Sequence, residues 1–168
     1  LGTFDELPTL NTGETDDLVI ETLINMDKIK KGTAILLKPH AITDLKRLNK
    51  ILRTVSSENV HITYLHPSLL ARQSVAAICN YYSTSIADFW HQGVTTIEFT
   101  RYSDQLLGVT GNRSFGGNYI DHFLDMSEFE TLKKTLRNSF EVDGVDIRSL
   151  KQELQLSDSD KLLLDALI

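Results

Sequence analysis

The strongest constraint on the fold is an alternation of short apolar runs with longer stretches of helical periodicity. The first apolar run, residues 33–37, ends at Lys38-Pro39, and the proline stops strand pairing because it has no backbone N–H to donate. A helical stretch beginning at Thr43 or Asp44 follows directly. Its apolar residues form one stripe: Leu45, Leu48, Ile51, Leu52 and Val55. The sequence therefore predicts a buried strand joined directly to an amphipathic helix.

The same alternation continues along the chain. We predict strands over residues 60–65, 94–101 and 119–126, a short strand over 106–109, and helices over 17–30, 67–82 and 127–140. The central order, β-α-β-α-β-(β)-β-α, predicts an α+β fold with a ferredoxin-like antiparallel or mixed sheet backed by helices. A doubly wound parallel sheet is the second interpretation, and it is less favoured because no glycine-rich phosphate loop follows the first strand.

The two ends of the chain differ from its middle. Residues 1–16 are polar and contain Gly, Pro and Asn, which predicts an extended arm or linker. Residues 17–140 form the predicted α/β sandwich domain. The last stretch, residues 141–168, ends in LSDSDKLLLDALI, which predicts a helical C-terminal tail.

Composition excludes several functions. A chain of 168 residues with 41% hydrophobic residues can bury a core without disulfides. The single cysteine, Cys79, excludes an internal disulfide and a cysteine-cluster metal site, and the five histidines match no zinc spacing. A net charge of −6 argues against general coating of nucleic acid. Without a long apolar run or a visible signal peptide, we expect no membrane span and a cytoplasmic location, or one within a macromolecular assembly, rather than secretion.

Residues 111–118, GNRSFGGN, form the least ordinary segment of the sequence. Glycines allow positive φ and close approach of the backbone to a ligand, and Arg113 is a forked donor suited to phosphate. The simpler interpretation is a turn that needs glycine, and composition alone favours it. Beyond this segment, His122 shares a predicted strand face with Ile120 and Leu124, which favours a half-buried core histidine. Asp121 and Asp125 flank it, however, and a carboxylate can orient an imidazole for nucleophilic chemistry.

Two further patterns point to phosphate. Lys38, at the end of a predicted buried strand, is either a solvated strand end or a ligand for an anion. Together with Arg113 it could form one phosphate pocket, although 75 residues separate them (113 − 38). His61 and Thr63 face the same way on a strand, so an imidazole and a hydroxyl could bind a phosphate and move a proton. Both residue types are also ordinary on strands.

Four segments in this order resemble the nucleoside diphosphate kinase family over about residues 33–136. They are ILLKPHAI at 35–42, NYYSTSIADFW at 80–90, QGVTTIEF at 92–99 and NRSFGGNYIDHFLD at 112–125. Glu128 matches a glutamate on the helix that follows the last segment. Two departures stand out: His40 replaces an aspartate of the first motif, and Phe123-Leu124 replaces the glycine and serine after the catalytic histidine.

The resemblance implies roles for particular residues. His122 would be the phosphorylated nucleophile in transfer from a nucleoside triphosphate to a diphosphate, with Mg²⁺ accompanying the nucleotide, and Asp125 would help orient the site. The implied ligands of the nucleotide are Lys38 and Tyr82 for the phosphates, Phe89 for the base, Arg113 for phosphate, and Asn118 for the sugar or phosphate. No resident metal is implied.

Two alternatives remain open at this stage. In the first, the site has decayed and the chain is a non-catalytic structural or assembly module of a larger complex, for instance a viral one, with a protein partner or a second copy bound through the arm. In the second, the chain resembles two-histidine phosphoesterases that act on cyclic or 2′-5′ nucleotides. The motif His61-Ile62-Thr63 is similar to their first His-x-Thr, but this sequence has no second His-x-Thr.

Overall fold

The computed structural model describes residues 12–29, 32–40, 43–81 and 83–142. Within these ranges short strands alternate with helices. In chain order they are α1 (Thr12–Ile29), β1 (Ile35–Leu37), α2 (Leu45–Val55), β2 (Val60–Ile62), α3 (Pro67–Ala71), β3 (Ala76–Cys79), α4 (Ile86–Trp90), β4 (Thr95–Thr100), α5 (Asp104–Thr110), β5 (His122–Asp125) and α6 (Phe129–Val142). A 3₁₀ turn, Gly117–Tyr119, lies shortly before β5.

The strand pairs that the described residues form are all parallel. β1 pairs with β2, and in a second sheet β4 lies between β3 and β5. A helix separates each strand from the next along the chain. Such crossovers are long enough for parallel pairing, whereas antiparallel neighbours need only a tight turn. The predicted α+β class is therefore confirmed, but the ferredoxin-like antiparallel or mixed sheet is not. The parallel direction of the strands agrees with the second interpretation, although the described strands form two small sheets.

Side-chain alternation gives β4 two different faces. Ile97 and Phe99 are fully buried in the main core, where they pack with residues from α1, β5 and α6: Leu18, Leu124, Leu132 and Leu136. The side chains of Thr96, Glu98 and Thr100 lie on the opposite face. There Thr96 donates a hydrogen bond to the Tyr119 carbonyl, and Glu98 accepts hydrogen bonds from Tyr102 and Ser114. The second sheet therefore has the main core on one face and a more polar layer on the other.

Helix α1 connects the two sheets. Near its start, Asp16 accepts a hydrogen bond from the Arg47 guanidinium in the first turn of α2, at 2.7 Å. Near its end, Asp27 accepts one from the amide of Asn59, just before β2, at 2.6 Å. Because α2 begins after the carboxyl end of β1, helix α1 runs antiparallel to β1 and β2. It also contributes to a second apolar cluster with β1 and α2: Val19, Leu23, Ile35 and Ile51.

The amphipathic helix predicted after β1 is confirmed as α2. Asp44 caps it, since its carboxylate accepts a hydrogen bond from the backbone N–H of Lys46 at 2.8 Å. Leu48 and Ile51 of the predicted stripe are buried, whereas Leu45 is exposed. Helix α2 ends at Val55, and its C-cap residue, Ser56, takes the left-handed backbone conformation.

Two predicted elements are wrong. The helix predicted over residues 67–82 stops at Ala71, and its apolar continuation forms β3, which pairs with β4 from Ala76 to Cys79. The predicted short strand at 106–109 lies inside α5, where Ser103 Oγ accepts from the N–H of Leu106 as an N-cap. Short apolar runs have no periodicity long enough to separate a strand from a buried helix, so pairing decided the first case and capping the second.

The predicted domain limits also change. Helix α1 begins at Thr12, inside the arm that was predicted over residues 1–16, and α6 continues to Val142, just inside the predicted tail. The rest of the predicted arm, residues 1–11, and the rest of the tail, residues 143–168, lie outside the described residues.

Candidate functional site

A pocket opens where β4 and β5 end. It has a volume of about 320 Å³ and is lined by Thr100, Tyr102, Leu107, Asn112, Phe123, Asp125 and Glu128. Thr100 and Asp125, the last residues of their strands, are register partners. Ligands of parallel α/β proteins bind outside the carboxyl ends of the strands, so the pocket lies where such a fold places a site.

Thr100 brings an unusual polar atom to the pocket wall. Its side chain is 1% exposed, yet its Oγ1 makes no hydrogen bond to any residue that the structure describes. Buried hydroxyls almost always have a partner, because removing them from water without a hydrogen bond costs free energy. Because Thr100 also lines the pocket, the pocket is the place from which a ligand could supply this missing hydrogen bond.

The two carboxylates of the pocket are held by local hydrogen bonds after β5. Asp125 Oδ1 accepts from the backbone N–H of Ser127 at 2.9 Å and from its hydroxyl at 2.7 Å. Glu128 Oε2 accepts from the backbone N–H of Asp125 at 2.8 Å. These hydrogen bonds use one oxygen of each carboxylate, which leaves the other oxygen of each able to accept from a ligand.

Asp125 is charged over a wider pH range than an ordinary aspartate. Partial burial raises its pKa, but hydrogen bonds from Ser127, the positive charge of Arg101 and the N–H of Met126 act in the opposite direction and prevail. The pKa of the carboxyl therefore lies below its usual range. Asp125 is an anion at neutral pH and makes this end of the pocket acidic.

We expect Asp125→Asn to lower the free energy of unfolding at neutral pH, where Asp125 is ionised, but not in strong acid, where it is protonated. Because the folded pKa is lowered, this contribution is fully present above the unfolded value of about 3.9 and is lost as the pH falls through the folded pKa. Urea unfolding at pH 7 should show the variant less stable, and the difference should shrink as the pH falls through the lowered folded pKa of Asp125. Asp17→Asn, at an exposed position of α1, is the matched control. A difference that stays constant with pH would contradict the assignment.

A buried carboxylate, Glu98, organises the polar face behind the pocket. Glu98 is 0% exposed in the middle of β4. It accepts hydrogen bonds from the Tyr102 hydroxyl, which lies just after β4, and from the Ser114 hydroxyl in the segment that returns to β5. The charge of Glu98 also adds to burial in raising the pKa of the Cys79 thiol on the neighbouring strand. Glu98 thus attaches the segment around residue 114 to the sheet.

The structure separates His122 from the residues predicted to assist it. His122 is the first residue of β5 and is exposed, rather than half-buried as its strand spacing suggested. Asp125 is the last residue of that strand and points to the other face. Asp121 Oδ2 instead accepts from the backbone N–H and hydroxyl of Thr96, at 2.8 and 3.0 Å. Neither carboxylate is hydrogen-bonded to the imidazole.

The glycine-containing segment at 111–118 packs along the polar face of β4. Gly111 and Gly117 take positive φ values of 62° and 51°, as the sequence suggested for this segment. Its first residue, Gly111, is the C-cap of α5. The Phe115 ring lies 5.9 Å from the Tyr102 ring. Arg113 and Asn118 are exposed. No contact brings Arg113 to Lys38, which follows β1 in the other sheet.

The remaining predicted site residues occupy different parts of the fold. Lys38 is half-buried directly after β1, and Phe89 packs against the apolar cluster of α3, β3 and α4. Tyr82 lies outside the described residues. His61, in the middle of β2, is exposed, and Thr63 follows the strand with its N–H bonded to the Leu37 carbonyl at 3.0 Å.

Sequence reasoning missed Thr100 and Glu98. Both lie on a strand that was correctly predicted, and both alternate with the core residues Ile97 and Phe99. A glutamate flanked by apolar residues in a strand was a visible signal for a polar sheet face. The missing hydrogen bond of Thr100 had no sequence signal, because it depends on which groups the tertiary structure places around the hydroxyl.

Comparisons with protein-family models, with curated proteins and with solved structures find no match. In the part of the chain that the structure describes, no cluster of His, Cys, Asp and Glu has the arrangement of a metal site. None of the helices described there has the length and apolar character needed to cross a membrane.

Proposed function

We propose that the chain is a nucleotide-binding α/β domain that holds the phosphates at the carboxyl ends of its parallel strands. The proposal rests on two hydrogen bonds by which α1 contacts the segments that follow the carboxyl ends of β1 and β3. Asp16 bonds Arg47 at the start of α2, just beyond β1, and Thr22 accepts from the amide of Asn80, just beyond β3, at 2.8 Å. The two contacts are six residues apart on α1, about 9 Å along its axis.

This placement supports one shared cleft between the two sheets. β2 pairs with β1 in one sheet, and in the other sheet β4 and then β5 follow β3. Since α1 contacts the segments that follow β1 and β3, we take the region between the ends of these two strands, here called the junction of β1 and β3, as the place where the strand order would reverse. Nucleotides bind at such points in parallel α/β sheets. Lys38 follows β1 at this junction, and Asn80 and Ser83 follow β3.

Charge supports phosphate at this junction rather than at the pocket of β4 and β5. Lys38 supplies a positive charge, and the Ser83 hydroxyl supplies a neutral donor. Asp125 and Glu128 repel an anion at the far end of the same edge. A cation in a partly shielded cleft can attract phosphate despite the net charge of −6, since exposed charges farther than about 8–10 Å are screened.

We expect Lys38→Ala to weaken ATP binding by about tenfold or more. Charge-assisted hydrogen bonds contribute roughly 1.5–3 kcal/mol, and 1.4 kcal/mol corresponds to one decade in Kd. Isothermal titration calorimetry of the purified chain with ATP, with and without Mg²⁺, measures the effect. Lys134→Ala, at an exposed position of α6, should leave the affinity unchanged. Absence of ATP binding by the wild type would refute the proposed function.

Arg113→Ala separates two locations for the phosphates. If the phosphates lie at the junction of β1 and β3, this substitution leaves ATP affinity nearly unchanged. If Arg113 and Lys38 share one phosphate, as the sequence suggested, both single substitutions weaken binding and the double substitution is non-additive. Nucleoside diphosphate kinase-like transfer through His122 stays a prediction, and incubation with labelled ATP followed by analysis for acid-labile phosphate tests it directly.

A further inference from the structure

We propose that the pocket at the ends of β4 and β5 binds a primary ammonium group carried on a short apolar stem. This site is distinct from the phosphate position proposed above and does not depend on it. The first observation is the Thr100 hydroxyl, which is almost completely buried at the pocket wall and lacks a hydrogen-bond partner among the described residues. A buried acceptor of this kind is satisfied when a donor enters the pocket.

Three acceptors meet around the same opening. Thr100 and Asp125 are register partners on adjacent parallel strands, which lie about 4.8 Å apart, and both side chains face the pocket. Glu128 is bound to the backbone of Asp125 and also lines the opening. A primary ammonium has three donors and no acceptor, so it matches one hydroxyl oxygen and two carboxylate oxygens.

The remaining lining of the pocket suits an alkyl stem. Leu107 and Phe123 provide apolar surface, and the ring of Tyr102 lies 5.6 Å from that of Phe123. Aromatic faces also attract cations. A volume of about 320 Å³ is at the lower end of the range for small-molecule pockets, roughly 300–1,000 Å³, so the pocket fits one short chain with its ammonium.

Other ligand classes fit less well. An anion would meet the carboxylates of Asp125 and Glu128, which favour positive charge. A quaternary ammonium could contact the rings but could not donate to Thr100, whose hydroxyl would stay without a partner. An alcohol of the same length could donate one hydrogen bond only and would gain nothing from the two charges. Affinity in the order primary amine, then quaternary amine, then alcohol is therefore the signature of this site.

The test titrates the full chain with n-butylammonium, tetramethylammonium and n-butanol and follows backbone amide shifts by NMR. We expect the butylammonium shifts to be the largest around residues 100–102 and 123–128, and its affinity to fall as salt is added. Spermidine and Nα-acetyl-lysine methylamide then distinguish a free polyamine from a lysine side chain of a protein. Stronger binding by n-butanol, or shifts that avoid these residues, would overturn the proposal.

Thr100→Val is the decisive variant because it keeps the shape of the side chain and removes the hydroxyl. Since that hydroxyl has no hydrogen-bond partner among the described residues, the variant should be as stable as the wild type or more so, while butylammonium binding weakens about tenfold. Glu128→Gln should weaken binding as well, whereas Glu141→Gln, at an exposed position of α6, should not. Unchanged binding by a folded Thr100→Val variant would overturn the proposal.

Discussion

Replacing Phe99 by alanine is expected to lower the free energy of unfolding by about 3–5 kcal/mol, the range for removing a buried aromatic ring. The Phe99 side chain is 0% exposed. It lies in the main core between α1, β5 and α6, and its ring is 6.2 Å from that of Phe129 in an edge-to-face arrangement. The lost ring leaves a cavity that these fixed elements can fill only in part. Chemical denaturation followed by circular dichroism measures the difference.

Phe115→Ala is the matched control for this prediction. Its side chain is 50% exposed and contacts Tyr102 at the surface side of the second sheet. Surface substitutions outside special features usually change stability by less than about 0.5 kcal/mol, and loss of an aromatic pair adds about 0.5–1.5 kcal/mol. An equal loss for both variants would mean that Phe99 is not in the centre of the core.

Replacing Glu98 by alanine is expected to destabilise the chain by about 1–3 kcal/mol, because the buried Tyr102 hydroxyl loses its acceptor. Tyr102 is 7% exposed and donates to Glu98 Oε1, while Ser114 donates to Oε2. Loss of the carboxylate also releases the segment around Ser114 from the sheet. Amide hydrogen exchange should therefore accelerate in residues 111–117 more than in β1 and β2.

A double-mutant cycle isolates the Glu98–Tyr102 contact. Tyr102→Phe removes the hydroxyl and keeps the ring, so the double variant no longer contains a Tyr102 donor without an acceptor. We expect the double change to cost less than the sum of the single changes, with a coupling of about 0.5–3 kcal/mol. Additive effects would show that the two groups contribute to stability independently. The same variants show how far the pocket depends on this contact, since Tyr102 lines its wall.

The two proposed sites differ in the charge of the side chains that form them. In the first proposal Lys38 attracts phosphate at the end of β1, and in the second Asp125 and Glu128 attract a cation at the ends of β4 and β5. The two titrations are independent, since ATP and butylammonium differ in charge and size. Failure of ATP to bind refutes the first proposal and leaves the second standing, and the reverse is also true.

The sequence alone determined the features that depend on neighbouring residues. Helix α2 followed from its apolar stripe and from Asp44 as its N-cap, and both are local properties of the chain. The core strand β4 followed from a β-rich run after Gly93. The glycines of residues 111–118 permit positive φ because they have no Cβ, and Gly111 and Gly117 adopt it.

Tertiary structure decided the features that depend on distant partners. The run at residues 76–79 became a strand because β4 offers it parallel hydrogen bonds, although the same residues fit a helix by local pattern. His122 and Asp125 appear close in the sequence, but strand alternation sends them to opposite faces. Among the described residues the Thr100 hydroxyl has no hydrogen-bond partner, and this depends on which groups the fold brings near it. Strand pairing and side-chain burial depend on contacts between segments that are distant in the chain, so the local pattern of one sequence does not predict them.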